Sequence, residues 1–359
     1  MSIKNSLPRE LLEATRLTRA GRLVEATAAI QHLLQRQAVR EPVNDRASGR
    51  VIDAEFSRVE EARAEARQPA GRPGQFISGS YGNPAGTRPY KLYIPTRYVG
   101  APLPMVVMLH GCTQSPDDFA AGTRMNALAE ERGWFVLYPA QTSAANRSRC
   151  WNWFKRTHQR RDEGEPAILA GMTRECISRY AIDPLRVYVA GLSAGGAMAA
   201  VLGAAYADVY TAVGVHSGLA AGSAHDVQSA FAAMRGTPAG RRPVRARDSA
   251  GPLPVIVFHG SRDTTVHPRN GEQVILESAD PTAASSVEQG QVPGGHAYTR
   301  TVRRDSSGRV VLEHWLVHGA GHAWSGGSPA GSYTDPKGPD ATQAMLRFFD
   351  QTRPADPTP

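Results

Sequence analysis

Cysteine is scarce in this chain, with three among 359 residues. Three cysteines are too few for a disulfide scaffold, and because none has C-x-x-C spacing, the sequence predicts no structural zinc site. Long apolar runs are also missing, since no stretch approaches the roughly 18 apolar residues that a membrane-spanning helix needs. The N-terminal stretch MSIKNSLPRELLEATRLTRAG carries charges where a signal peptide has its apolar segment, so we expect a cytoplasmic protein without a membrane partner.

Aromatic residues are few, at 7% of the chain, and they do not alternate with the basic residues. The formal net charge is +8, and its excess is arginine, scattered over the N-terminal part and over RRPVRARDSA (241–250). No nucleic-acid-binding module accompanies this charge, so we interpret the arginines as a solvated surface and predict no nucleic-acid partner. Hydrophobic residues make up 41% of the chain, which is enough for a sizeable core.

The two N-terminal segments differ in character from the rest of the chain. Residues 1–38 predict a helical hairpin, two short amphipathic helices around Ala20-Gly21. Such a hairpin cannot bury its own apolar face, so we expect it to dock on the main body or on a second copy of the chain, which would give a homo-oligomer. Residues 39–74 have few large apolar residues and favour a flexible linker, and residues 353–359 a disordered tail.

Residues 75–352 predict an α/β domain. Short apolar runs that end in glycine or proline, among them PMVVMLHG, WFVLYP, RVYVAG and PVIVFHG, alternate with segments of helical pattern. This alternation indicates a mostly parallel central sheet with helices on both faces. In such sheets the functional residues gather at the carboxyl ends of the strands.

Ser193 lies at one of these strand ends, within Gly191-Leu192-Ser193-Ala194-Gly195. The small residues let the chain turn sharply from strand to helix with the serine hydroxyl at the apex, which is the geometry of a nucleophile. The alternative is that Ser193 only caps the helix. We favour the nucleophile because an apolar strand precedes the motif and an alanine-rich helix follows it.

A nucleophilic serine needs a base and an acid that orients the base. His322 follows the last predicted strand in a glycine-rich loop. Seven other histidines lie in a strand, at strand ends or in polar loops and are interpreted as structural: His110, His158, His216, His225, His259, His314 and His318. Asp263 follows the strand PVIVFHG, so the order is serine, aspartate, histidine, as in α/β-hydrolases. Asp335 and Asp340 follow the histidine loop and are interpreted as surface or capping residues.

The tetrahedral intermediate of ester hydrolysis needs two hydrogen-bond donors at its oxyanion. The N–H of Ala194, directly after the nucleophile, predicts one donor. The loop after the first buried strand predicts the other, with Cys112 as the first choice and Thr113 as the second. Trp151, Trp324 and Thr113 are candidate substrate-binding residues, although the two tryptophans are equally typical of a core.

Taken together, these motifs resemble those of the polyhydroxybutyrate-depolymerase-like esterases, a family that includes feruloyl and acetylxylan esterases. The similar stretches include LHGCTQSPDDF, CWNWF, YVAGLSAGGAMA, VFHGSRDTTVHP, GAGHAWSGG and GPDAT, in order over about residues 78–350. The resemblance implies an α/β-hydrolase fold, the triad above, no metal and no cofactor. It also implies that Cys112 and Cys150 lie close together, and it adds an extracellular location as the alternative, because many relatives are secreted.

The leading hypothesis is therefore a serine esterase that acts on small or oligomeric esters, such as short-chain acyl esters or 3-hydroxybutyrate oligomers. A feruloyl or acetylxylan esterase is the alternative within this chemistry. A hypothesis from another class is an inactive scaffold protein that acts through its N-terminal helices. The presence of all three triad residues argues against the scaffold.

Overall fold

The computed structural model describes residues 74–237, 253–278 and 283–352. The predicted N-terminal hairpin, the linker apart from Gly74, and the C-terminal tail lie outside the described residues. None of the helices within these three stretches is both long and apolar enough to cross a membrane.

Twelve strands form within the described stretches. They are β1 (Gln75–Asn83), β2 (Gly86–Ile94), β3 (Leu103–Leu109), β4 (Phe135–Pro139), β5 (Ile182–Leu192), β6 (Ala212–His216), β7 (Val255–Gly260), β8 (Ala284–Gln291), β9 (Ala297–Arg304), β10 (Val310–Val317), β11 (Trp324–Ser325) and β12 (Thr334–Asp335). The first ten form one sheet in the order β1-β2-β4-β3-β5-β6-β7-β10-β9-β8, and β11 pairs with β12. The six strands from β4 to β10 in this order are mutually parallel, and the pairs at both edges are antiparallel. The predicted mostly parallel sheet is confirmed.

Seven α-helices accompany the sheet in the described chain. They are α1 (Pro116–Thr123), α2 (Met125–Arg132), α3 (Gly164–Arg179), α4 (Ala194–Ala205), α5 (Val227–Met234), α6 (Arg269–Ser278) and α7 (Ala341–Gln351). Two apolar clusters divide the core: Val107 of β3 belongs to one, and its neighbours Val106 and Met108 to the other. Since successive side chains of a strand point to opposite faces, each cluster covers one face of the sheet.

The parallel strands bring distant parts of the chain to one edge of the sheet. β3, β5, β6, β7 and β10 all run in the same direction and end at residues 109, 192, 216, 260 and 317. The loops that leave these carboxyl ends contain Gly111, Ser193, Asp263 and His322. The candidate catalytic residues therefore lie on loops at the same edge.

Candidate active site

Ser193 occupies the turn between β5 and α4 in a strained conformation. Its φ and ψ angles are 58° and −120°, which places a non-glycine residue in a region that L-amino acids rarely adopt. The turn is tight because α4 approaches β3 closely: a Cβ on Gly195 would lie 2.0 Å from the carbonyl oxygen of Leu109. The Ser193 side chain makes no capping hydrogen bond to α4. The capping interpretation therefore has no support, and the hydroxyl is available for other chemistry.

His322 and Asp263 are joined by a hydrogen bond. Nδ1 of His322 lies 2.7 Å from Oδ2 of Asp263, and both side chains are buried. Because a carboxylate accepts, Nδ1 carries the hydrogen, and Nε2 is left as the basic nitrogen. Backbone N–H groups of Thr265 and Val266 donate to the other carboxylate oxygen, at 2.9 and 2.8 Å. Burial raises the pKa of Asp263, but hydrogen bonds and charge interactions with His259 and His322 outweigh it and hold the pKa well below its usual range.

His216 lies beside Ser193. Its carbonyl oxygen accepts a hydrogen bond of 2.9 Å from the Ser193 N–H. Burial lowers the pKa of His216 well below its usual value, and its Nε2 accepts a hydrogen bond from the N–H of Ser325. His216 is thus a neutral structural residue, as the sequence predicts. Within the described chain, Ser193 Oγ makes no hydrogen bond, so the structure does not join it directly to His322.

The loop after β3 lies against the Ser193 side chain. A Cβ on Gly111 would be 3.7 Å from Cβ of Ser193. Thr113, the second choice for the oxyanion donor, uses its N–H in a 2.7 Å hydrogen bond to the carbonyl of Ser148. No acceptor in the described stretches takes the N–H of Cys112 or of Ala194. The structure therefore leaves two amides without an acceptor in the described residues: that of Cys112, the first choice for the loop donor, and that of Ala194.

A disulfide links Cys112 to Cys150 and so ties the loop after β3 to the segment CWNWF. The close pair that the family resemblance implies is confirmed. Trp151, the next residue, is fully buried and donates from its indole Nε1 to the carbonyl of His110 at 3.1 Å. Both contacts fix the backbone on either side of Gly111.

The substrate-binding prediction for the two tryptophans is wrong. Trp151 and Trp324 are 0% and 1% exposed, so neither indole presents a surface to a substrate. Trp324 stacks on the His216 ring, with 4.9 Å between ring centroids, and its Nε1 donates to Thr342 Oγ1. Both tryptophans are therefore core residues next to the site, because an indole can bury its large ring when its N–H donates to an acceptor. Thr113, by contrast, is exposed.

A buried polar network supports the disulfide-linked segment. Glu165 accepts hydrogen bonds from the backbone N–H and the side-chain amide of Asn152, both at 2.7 Å, and from Arg88 at 3.2 Å. Burial raises the pKa of Glu165, but the hydrogen bonds and charge of its partners, including His158 and Gln141, outweigh it and lower the pKa to about 2. The ionised carboxylate thus anchors the chain on which Trp151 lies.

Three residues of the site were missed by the sequence analysis. Tyr333 lies directly before β12, and its hydroxyl is 3.3 Å from Oγ1 of Thr113. The two residues are 220 positions apart in the chain, so the sequence gives no sign of this contact. Glu165 lies in the first turn of α3, where an acidic residue is usually exposed, so the sequence gives no sign of its burial. His259 contacts Asp263 and lies only four residues before it, so this short separation could have identified His259 from the sequence.

The alternative carboxylates take other partners. Asp335 lies 2.9 Å from Nε2 of His296, and Asp340 caps α7 by accepting from the N–H of Gln343. Neither carboxylate contacts His322 within the described residues. Among these residues, no group of three or more histidine, cysteine or acidic side chains is arranged to hold a metal ion.

Comparison with known proteins finds a consistent set of relatives. The family model "Esterase PHB depolymerase" matches residues 88–279. Poly(3-hydroxyalkanoate) depolymerase C of Paucimonas lemoignei is 31% identical over 250 residues, which cover 67% of this chain and 59% of that protein. Probable acetylxylan esterase A of Aspergillus clavatus is 28% identical over 262 residues, which cover 67% of this chain and 83% of the relative. The match thus spans less than two thirds of the depolymerase.

Among solved structures, the acetyl xylan esterase from Aspergillus awamori is similar, with a TM-score of 0.60 at 21% identity. The match covers 78% of this chain and 99% of that protein. At this identity the likeness concerns the fold alone. It confirms the α/β-hydrolase architecture that the family resemblance implies.

Proposed function

The chain belongs to the esterase PHB depolymerase family, and we propose that it hydrolyses carboxylic esters with Ser193, His322 and Asp263 as its catalytic triad. The observation that carries this proposal is the 2.7 Å hydrogen bond between His322 Nδ1 and Asp263 Oδ2, which selects the tautomer with a basic Nε2. The uncapped, strained Ser193 supports it. The missing bond between Ser193 Oγ and His322 is compatible with the role, because such bonds often tighten only in the substrate complex.

In the proposed reaction, Ser193 Oγ attacks the ester carbonyl carbon while His322 Nε2 takes the hydroxyl proton. The resulting imidazolium is stabilised by the Asp263 carboxylate and then passes the proton to the departing alcohol. Water attacks the acyl-enzyme in the same way, and the acid leaves from Ser193. Each step transfers one proton through His322, and no redox partner is needed.

The oxyanion would accept hydrogen bonds from the N–H groups of Cys112 and Ala194. Both amides lack another acceptor in the described chain, and the loop of Cys112 lies against Ser193. Donors that are held in place before the reaction stabilise the developing charge without reorganisation. The disulfide and the Trp151 hydrogen bond supply this rigidity.

For the substrate, we propose short-chain acyl esters, including 3-hydroxybutyrate oligomers. The depolymerase relative supports an oligomeric hydroxyacid ester, and the acetylxylan esterase relative supports the acetyl-ester alternative. The disulfide favours the extracellular alternative over the cytoplasm, because such bonds persist in oxidising compartments.

The test is a pre-steady-state assay of the full chain on p-nitrophenyl acetate, butyrate and octanoate, then on 3-hydroxybutyrate oligomers, acetylated xylan and methyl ferulate. We expect a burst in the wild type, and a loss of turnover of roughly 10⁴-fold or more in Ser193→Ala. Ser223→Ala is the matched control, because it removes a buried hydroxyl that has no hydrogen-bond partner among the described residues. Equal activity of Ser193→Ala and the wild type would refute the proposed nucleophile, and the order of the substrates distinguishes the ester classes.

A further inference from the structure

A second histidine lies next to the acid of the proposed triad. His259, the penultimate residue of β7, is 0% exposed, and its Nε2 lies 3.5 Å from Oδ2 of Asp263, the oxygen that also accepts from His322. The mechanism proposed above assigns His259 no role. A fully buried imidazole at this position calls for an explanation, because burying a polar ring is costly unless it forms hydrogen bonds.

The contacts of His259 determine which of its nitrogens carries the hydrogen. Nε2 lies 2.7 Å from the carbonyl oxygen of Val266, which can only accept, so Nε2 is the donor. Nδ1 is buried and has no hydrogen-bond partner within the part of the chain that the structure describes. It faces Gly271 of α6, where an added Cβ would lie 2.7 Å away, so a larger residue at position 271 would displace the ring.

Val266 connects this hydrogen bond to the carboxylate. The N–H of Val266 donates to Asp263 Oδ1 at 2.8 Å, while its carbonyl accepts from His259. The His259 side chain therefore fixes the peptide whose amide orients the acid. With Oδ1 held by the turn, Oδ2 points to His322 Nδ1.

We propose that His259 is a positioning residue, which acts through the Val266 turn to orient Asp263 and thereby the proposed base His322. This inference rests on the proposed function, since it concerns the acid of the same triad. The other imidazoles near it are kept neutral: burial lowers the pKa of His314 to about 4 and that of His216 well below its usual value. Neither of these two hydrogen-bonds to Asp263 within the described chain.

The test compares His259→Leu, His259→Gln and the matched control His314→Leu, which removes a half-buried imidazole on the neighbouring strand. We expect kcat of His259→Leu to fall about 10- to 100-fold with KM unchanged, because a small misplacement of a catalytic group lowers turnover without changing substrate contacts. His259→Gln should recover most of the loss, since its amide can donate to Val266. His314→Leu should retain the wild-type kcat.

A second readout does not depend on esterase activity. The hydrogen-bonded Nδ1 proton of His322 should give a low-field proton resonance that is absent in His322→Gln. We expect this resonance to be lost or broadened in His259→Leu and kept in His314→Leu. An inactive wild type would refute the proposed function, while the resonance would still test the positioning role.

If His259→Leu does not fold, Gly271→Ala replaces it, because its methyl group displaces the ring and removes no donor. The same selective loss of kcat and of the resonance is expected. An unchanged resonance in the folded variants, or a kcat equal to that of the control, would overturn the proposal. A loss that His259→Gln does not restore would also count against it.

Discussion

His322 Nδ1 lies 2.7 Å from Asp263 Oδ2, although 59 residues separate them in the chain. The contact forms because β7 and β10 are parallel neighbours, so the loops that follow them leave from the same edge of the sheet. The turn after β7 presents two amides to Asp263, which orients its other oxygen to the histidine. The predictions below concern this edge and the structure that supports it.

Replacing Asp263 by asparagine should abolish most of the activity while the fold is kept. An amide in place of the carboxylate no longer selects the Nδ1–H tautomer or stabilises the imidazolium, which lowers kcat by about 10⁴-fold in a comparable triad. Steady-state kinetics on p-nitrophenyl butyrate at neutral pH measure the effect. Asp335→Asn is the control, because that carboxylate pairs with His296. A greater loss in the control would contradict the assignment of the acid.

Removing the disulfide should lower both stability and turnover. The double variant Cys112→Ala/Cys150→Ala should lose about 2–4 kcal/mol of unfolding free energy. Its kcat should fall more than its KM rises, because the proposed oxyanion amide at position 112 is retained but held less rigidly. Urea unfolding and kinetics measure the two effects, and Cys176→Ala, which removes the free buried thiol, is the control. Thiol reductant should lower the kcat of the wild type towards that of the double variant and have no effect on the double variant.

Glu165 should make the free energy of unfolding depend on pH in the acidic range. Its pKa is lowered from 4.5 to about 2, so the stabilisation is complete above about pH 4.5 and is lost as the pH falls from there to about 2. The contribution is on the order of 3 kcal/mol, at about 1.4 kcal/mol for each pH unit between the two values. Urea unfolding over this pH range should show a shallower slope for Glu165→Gln than for the wild type. Glu163→Gln, at a half-exposed carboxylate, should keep the wild-type slope, and an equally steep slope in Glu165→Gln would be the contrary result.

Gly195→Ala should destabilise the fold itself. The added Cβ would lie 2.0 Å from the carbonyl oxygen of Leu109, a backbone atom that cannot move without shifting β3. We expect a loss of at least about 1–3 kcal/mol, the cost typical of overpacking a core. Thermal unfolding measures it, with Gly321→Ala as the control because no atom of the described residues lies within 4 Å of its Cβ position. Equal melting temperatures for the two variants would contradict the close approach of α4 to β3.

The overall architecture and the principal candidate residues were predictable from the sequence. The apolar runs, the helical segments between them and the serine–aspartate–histidine order are all local or ordinal properties of the chain, and parallel strands place their carboxyl ends at one edge whatever their exact packing. Ser193, Asp263 and His322 could therefore be named before any contact was known. The structural role of His216 was predictable as well, because the sequence places it at the end of a predicted strand.

Burial and partner choice were decided only by the tertiary structure. Trp151 and Trp324 are typical of a groove and of a core alike, and only packing determined that both are buried. The hydrogen bond from Thr113 N–H to Ser148, which leaves Cys112 as the free amide, also depends on how two loops meet. A sequence pattern specifies which face or end of an element a residue occupies, but the atoms that come within 3 Å of it are set by segments far away in the chain.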